Sequence, residues 1–207
     1  MQFIKRHVDN GDSQLKIEID RGEEGIWLLQ IRSGAVPEGG EIHAWIERSS
    51  GVPSMFVNHP DEEMTLSIPG TAQNVITVGA VGSVDDNGAQ RAVNAGEPIA
   101  VGDFSSYGPT RDRRQKPDVC APGVEVRAAR AGTSTNIIDM KGTSMAAPHV
   151  TGAIALLLSR TAAAGGPIPT STQIASALRQ KTKNYTSRWD RGQGFGVVDV
   201  AALLAAF

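Results

Sequence analysis

The stretch Gly142-Thr143-Ser144-Met145-Ala146-Ala147-Pro148-His149-Val150 concentrates the residues that could do chemistry. A Gly-Thr-Ser turn sets a hydroxyl where a helix begins. The first turn of a helix offers unpaired N–H groups and the positive end of the macrodipole. An oxyanion forming beside Ser144 would be stabilised there, which suits acyl transfer. Pro148 falls near enough to the helix start that its missing N–H should cost little. The plainer reading makes Ser144 only an N-cap, a position serine favours. His149 is the nearest base in sequence. Five residues at about 100° each carry it roughly 140° around the helix from Ser144, so its imidazole points away.

These residues need elements to hold them. Asn74-Val75-Ile76-Thr77-Val78-Gly79-Ala80-Val81 is a β-branched run, apolar enough for a strand buried on both faces. Residues 124–130 and 136–140 are two further short strand candidates. A helix is expected over 144–164, with Gly152 and several alanines permitting close packing. Thr170 offers a capping hydroxyl to a second helix through Ile174 and Leu178, and Asp199 to a third over 200–206. Strands mixed with long helices predict an α/β layered domain from about residue 56 to 207. Upstream, Leu15-Lys16-Ile17-Glu18-Ile19-Asp20 alternates with period two, as does 41–48, and 26–31 is apolar. Gly-rich turns between them suggest a small antiparallel β segment over 1–55, thin for independent stability. The stretch 49–54 (Ser-Ser-Gly-Val-Pro-Ser) reads as the boundary.

The nine-residue string around Ser144 closely resembles the nucleophile motif of the subtilisin-like serine proteases, the subtilase family. Three upstream strings match in the family's order: 69–80 (its Val-Ile-Thr-Val-Gly-Ala strand), Phe104-Ser105-Ser106-Tyr107-Gly108-Pro109, and Lys116-Pro117-Asp118-Val119-Cys120-Ala121-Pro122-Gly123. The likeness covers about residues 66–204. It implies the C-terminal part of a doubly wound parallel sheet with flanking helices, and a serine endopeptidase acting on peptide or protein substrates. Ser144 is the nucleophile it implies, and His149 a structural residue. Residues 1–55 resemble the closing strands of the β-sandwich or jelly-roll inserted in subtilases akin to clostridial germination proteases.

The family orders its triad as Asp, His, Ser, and only the last has a match. Asp12-Ser13-Gln14 lacks the neighbours of the family's aspartate. His7, His43 and His59 are followed by Val8, Ala44 and Pro60, not by the His-Gly-Thr-His pattern; His43 reads as a surface or cross-strand residue. The oxyanion-hole asparagine has no counterpart. A serine without a base is a poor nucleophile. The expectation is a chain inactive by itself, completed in cis or in trans by an N-terminal half that carries Asp, His and Asn. The competing expectation is a non-catalytic remnant serving as a binding or scaffold module. An α/β-hydrolase is excluded, since Gly142-Thr143-Ser144-Met145-Ala146 lacks the second elbow glycine.

Composition narrows the rest. Twenty basic against 22 acidic side chains, net −2, exclude a nucleic-acid binder that relies on a basic field. The 40% hydrophobic content supports a core. The longest apolar run, 150–158, is far short of the roughly 20 residues of a membrane span. Residues 1–7 hold no apolar core of signal-peptide length. Cys120, the single cysteine, reads as a small buried side chain and excludes an internal disulfide. Asp9, Asn10 and Asp12 lack the spacing of a calcium loop; no metal or cofactor is called for. Arg111, Arg113, Arg114 and Lys116 read as a solvated basic loop. Asn184-Tyr185-Thr186 fits a glycosylation sequon.

Overall fold

A computed structural model describes residues 2–4, 12–19, 24–31, 41–46, 54–58, 60–85, 87–93, 98–183 and 188–207. His7, His59, Asp9, Asn10, the sequon at 184–186 and most of the compositional boundary at 49–54 lie outside them. The chain divides into two compact units, Met1–Ala44 and Trp45–Phe207.

In the first unit, β1 (Gln2–Ile4) pairs antiparallel with β2 (Gln14–Lys16), Phe3 opposite Leu15. The alternating stretch from Leu15 therefore forms a strand only at its start. Neither 26–31 nor 41–44 becomes a strand, against the sequence expectation. Alternation makes a strand possible, but a partner edge and a covering layer make it form. Ile26 and Leu28 remain 84% and 90% exposed.

The second unit is built on a mixed sheet. Its strands are β3 (Val78–Val84), β4 (Gln90–Arg91), β5 (Ile99–Val101), β6 (Val119–Pro122), β9 (Thr182–Lys183) and β10 (Val197–Val198). The order is β4-β3-β6-β10-β9, with β5 also on β3; β3, β6 and β10 run parallel and the others antiparallel. β3 begins later than the apolar run predicts. Pairing with β6 starts at Val78 opposite Val119, after Val75 has spent its carbonyl on a lysine. A separate hairpin, β7 (Val126–Ala129) with β8 (Ile137–Met140), leads into the longest helix.

That helix is α1 (Thr143–Ala163); α2 (Ser171–Gln180) and α3 (Val200–Leu204) follow. Thr170 caps α2 through a capping box with Gln173, and the Asp199 carboxylate caps α3 by accepting from Ala202 N–H. One core cluster joins Ala80, Val119 and Ala121 of the sheet to Ala146, Val150, Ala153 and Leu157 of α1, Ile174 and Leu178 of α2, and Leu203 of α3. Because strand side chains alternate, Val81, Cys120 and Val197 point to the other face and pack with Ile99. Both β3 and β6 are thus buried on two sides, as their apolar runs require.

Candidate active site

Backbone hydrogen bonds run from the sheet to Ser144. Gly123 N–H, at the end of β6, donates to Val81 O of β3 (2.9 Å), and Gly123 O accepts from Gly142 N–H (2.8 Å). A Cβ on Gly123 would sit 2.5 Å from that of Ala80, so only glycine lets the turn lie this close to β3. Gly142 adopts φ 150°, which L side chains rarely adopt, and is the true N-cap of α1. It caps with its backbone: Gly142 O accepts from Met145 N–H (3.0 Å) and Ala146 N–H (3.3 Å).

Ser144 is therefore the second residue of α1 and does not cap it. Its side chain is exposed, and among the described residues its hydroxyl has no hydrogen-bond partner. Its N–H belongs to the first-turn group that a helix leaves unpaired. No acidic residue occupies that turn to compete for the positive helix end. Pro148 is the sixth residue of α1 and not part of its first turn. Without an N–H it deprives Ser144 O of the usual helical donor.

The histidines fall where helix geometry puts them. His149 is exposed, and its Nδ1 lies 2.9 Å from Met145 O, turned back along its own helix. His43 belongs to the first unit, 3.4 Å from the Glu41 carboxylate. Among the described residues, neither a histidine nor a carboxylate is hydrogen-bonded to Ser144, and no three His, Cys, Asp or Glu side chains form a metal cluster. No described helix is long and apolar enough to cross a membrane.

Two upstream strings turn out to be supports. Ser105 Oγ accepts from Ala80 N–H (3.0 Å), pinning the Phe104 loop to β3. Asp118 is 1% exposed and accepts from Thr77 N–H (2.7 Å), Lys116 Nζ (2.6 Å) and the Arg179 guanidinium (2.8 Å and 2.5 Å). Lys116 is itself 2% exposed, with its other bond to Val75 O. The basic run is solvated at Arg111 and Arg113 but not at its end. Its last member is buried as half of an ion pair, and Arg114 reaches Thr71 O and Asp112. Sequence reading missed this cluster because Arg179 lies 61 residues from Asp118. Cys120 is fully buried, its Sγ donating to Gly192 O, and burial pushes its thiol up to about 12.

One face of α1 is left uncovered among the described residues. Ala146, Val150, Ala153 and Leu157 form a single buried stripe, while Pro148, Thr151, Gly152, Ala155 and Leu156 are exposed. Gly152 was expected to permit close packing, yet a Cβ there would meet nothing within 4 Å.

The subtilase family matches residues 46–196. Serine protease AprX of Bacillus subtilis is 33% identical over 144 residues, which are 64% of this chain and 29% of that protein. Among solved structures, the CspB protease of Clostridium perfringens superposes with TM-score 0.56 at 26% identity, covering 71% of this chain and 29% of that one. Fervidolysin from Fervidobacterium pennivorans, a keratinolytic enzyme related to subtilisin, gives TM-score 0.50 at 28% identity over 67% of this chain and 20% of that one. This chain spans less than a third of each relative. With four family strings in order, a mixed sheet of the same kind and a serine opening the long helix, it belongs to the subtilase family.

Proposed function

We propose that this chain is the nucleophile-bearing portion of a serine endopeptidase, with Ser144 attacking a peptide carbonyl. The observation that carries this is the exposed Ser144 hydroxyl in the first turn of α1, with no partner among the described residues, where a serine that merely capped would be tied to the backbone. The mechanism follows from the chemistry. Ser144 Oγ forms the bond to the carbonyl carbon as a histidine accepts its proton. The oxyanion is held by the Ser144 N–H and a second donor. The leaving amine takes the proton, and water then hydrolyses the acyl-enzyme by the same steps.

The histidine, its orienting aspartate and the second donor, an asparagine, come in this reading from an N-terminal half, in cis or in trans. The bare face of α1 supports this. A glycine inside a helix costs about 1 kcal/mol relative to alanine, and nothing within the described residues needs Gly152 to be small. Close approach of a further segment does. Residues 1–55 are the remainder of an inserted β-domain, a reading supported by the β1–β2 pair. A non-catalytic binding module is the second reading, favoured by the absence of a described base at Ser144.

The test is labelling with a fluorophosphonate. The isolated chain should not label at Ser144, and adding an N-terminal half bearing Asp, His and Asn should restore both labelling and casein cleavage. Ser144→Ala should abolish both. Losing a triad base removes about 10⁶ of rate, so robust labelling of the isolated chain would overturn the division of labour. Failure of the completed protein to label would favour the binding module.

A further inference from the structure

We infer that Lys141 is a specificity-determining residue of the Ser144 site, favouring substrates with an acidic side chain close to the scissile bond. The inference rests on the reading of Ser144 as nucleophile. Lys141 occupies the turn between β8 and the Gly142 cap, three residues before Ser144. Its Nζ lies over the Phe104 ring, 5.8 Å from the centroid. That ring packs on the core cluster that includes Ala146 of α1. Phe104 and the start of α1 thus pack on one core, and the cation–π contact favours placing the ammonium over that ring.

Among the described residues Lys141 pairs with no carboxylate. Asp139, two residues earlier on β8, is engaged by Arg127 through two bonds of 2.9 and 3.1 Å. Asp103, next to Phe104, makes no ion pair with Lys141. The first turn of α1 holds no acidic residue. The ammonium therefore adds to the positive end of the helix dipole at the place where a bound peptide must cross. A carboxylate on that peptide gains from this field, and a cationic side chain loses by as much.

The experiment uses this chain completed by an N-terminal half carrying Asp, His and Asn. Matched fluorogenic peptides, differing by Asp, Asn or Lys at one position within three residues on either side of the scissile bond, report kcat/KM. Asp over Asn should be favoured about threefold to tenfold at the most sensitive position, shrinking between 50 mM and 0.5 M NaCl as screening sets in. Lys141→Met should bring that ratio to about one, Lys141→Glu should invert it, and Lys141→Arg should retain it. If the completed protein cleaves, Ser144→Ala abolishes cleavage, and Lys141→Met leaves the ratio where it was, this inference is overturned while the protease reading stands. If Lys141→Met removes cleavage of all peptides alike while Lys141→Arg retains it, the charge serves catalysis or positioning in general and the specificity role is overturned. If nothing is cleaved and Ser144 does not label, both fall together.

Discussion

Removing the carboxylate of Asp118 should undo the platform on which Ser144 stands. Both its oxygens are taken by donors: Oδ2 by Thr77 N–H and Lys116, Oδ1 by the two Arg179 nitrogens. With Asp118→Ala, the Lys116 ammonium, 2% exposed in the native protein, keeps only Val75 O as a partner. Breaking a buried pair in this way costs about 3–5 kcal/mol, because the surviving charge is uncompensated. Arg179 adds less, since its side chain is 41% exposed and water screens it. Asp118→Asn should be nearly as harmful, within about 1 kcal/mol, because either placement of its amide nitrogen faces a donor already there. Set against a typical stability of roughly 5–15 kcal/mol, the loss is a large fraction. The assay is urea titration followed by far-UV circular dichroism, together with amide exchange at Val119–Ala121, the β6 residues whose register on β3 starts beside Asp118. Lys116→Met combined with Asp118→Asn should cost at least about 1 kcal/mol less than the sum of the two alone. A loss below about 1 kcal/mol for Asp118→Ala, with unchanged exchange in β6, would refute the reasoning.

Cys120 predicts a pH limit. Its folded thiol titrates at about 12 and the unfolded one near 8.5, so the unfolded chain loses its proton first. Stability should hold level below about pH 8.5 and then fall by up to about 1.4 kcal/mol per pH unit towards 12. Cys120→Ala should remove that slope in denaturant titrations, and native Cys120 should resist alkylation at pH 8. Gly152→Ala should stabilise the isolated chain by about 0.5–1 kcal/mol in the same titrations. It should at the same time weaken Ser144 labelling in the completed protein, and equal labelling of both forms would remove the case for a close neighbour on that face.

Local patterns were legible wherever they depend on a few adjacent residues. The Thr170 and Asp199 caps, the existence of β7 and β8 as strands, the two-faced burial of β3 and the placement of Ser144 at the start of a helix follow from short-range rules of capping and periodicity. The turn of His149 away from Ser144 follows from 3.6 residues per turn alone.

What tertiary structure decided is whatever needs a distant partner. The same alternation made a strand at Gln14–Lys16 and none at 41–44, because a strand exists only where another edge accepts its hydrogen bonds. Lys116 resembled its solvated neighbours in a basic run until Asp118 and an arginine from α2 met it inside the protein. Gly142 rather than Ser144 became the cap because the Gly123 carbonyl, brought up by β6, pulls its N–H into a backbone conformation open to glycine. With Gly142 as the cap, the Ser144 hydroxyl makes no capping bond. The sequence by itself placed Ser144 at a helix start, and the packing of β3, β6 and α1 decided that its hydroxyl has no partner among the described residues, since hydrogen-bond competition is resolved only in three dimensions.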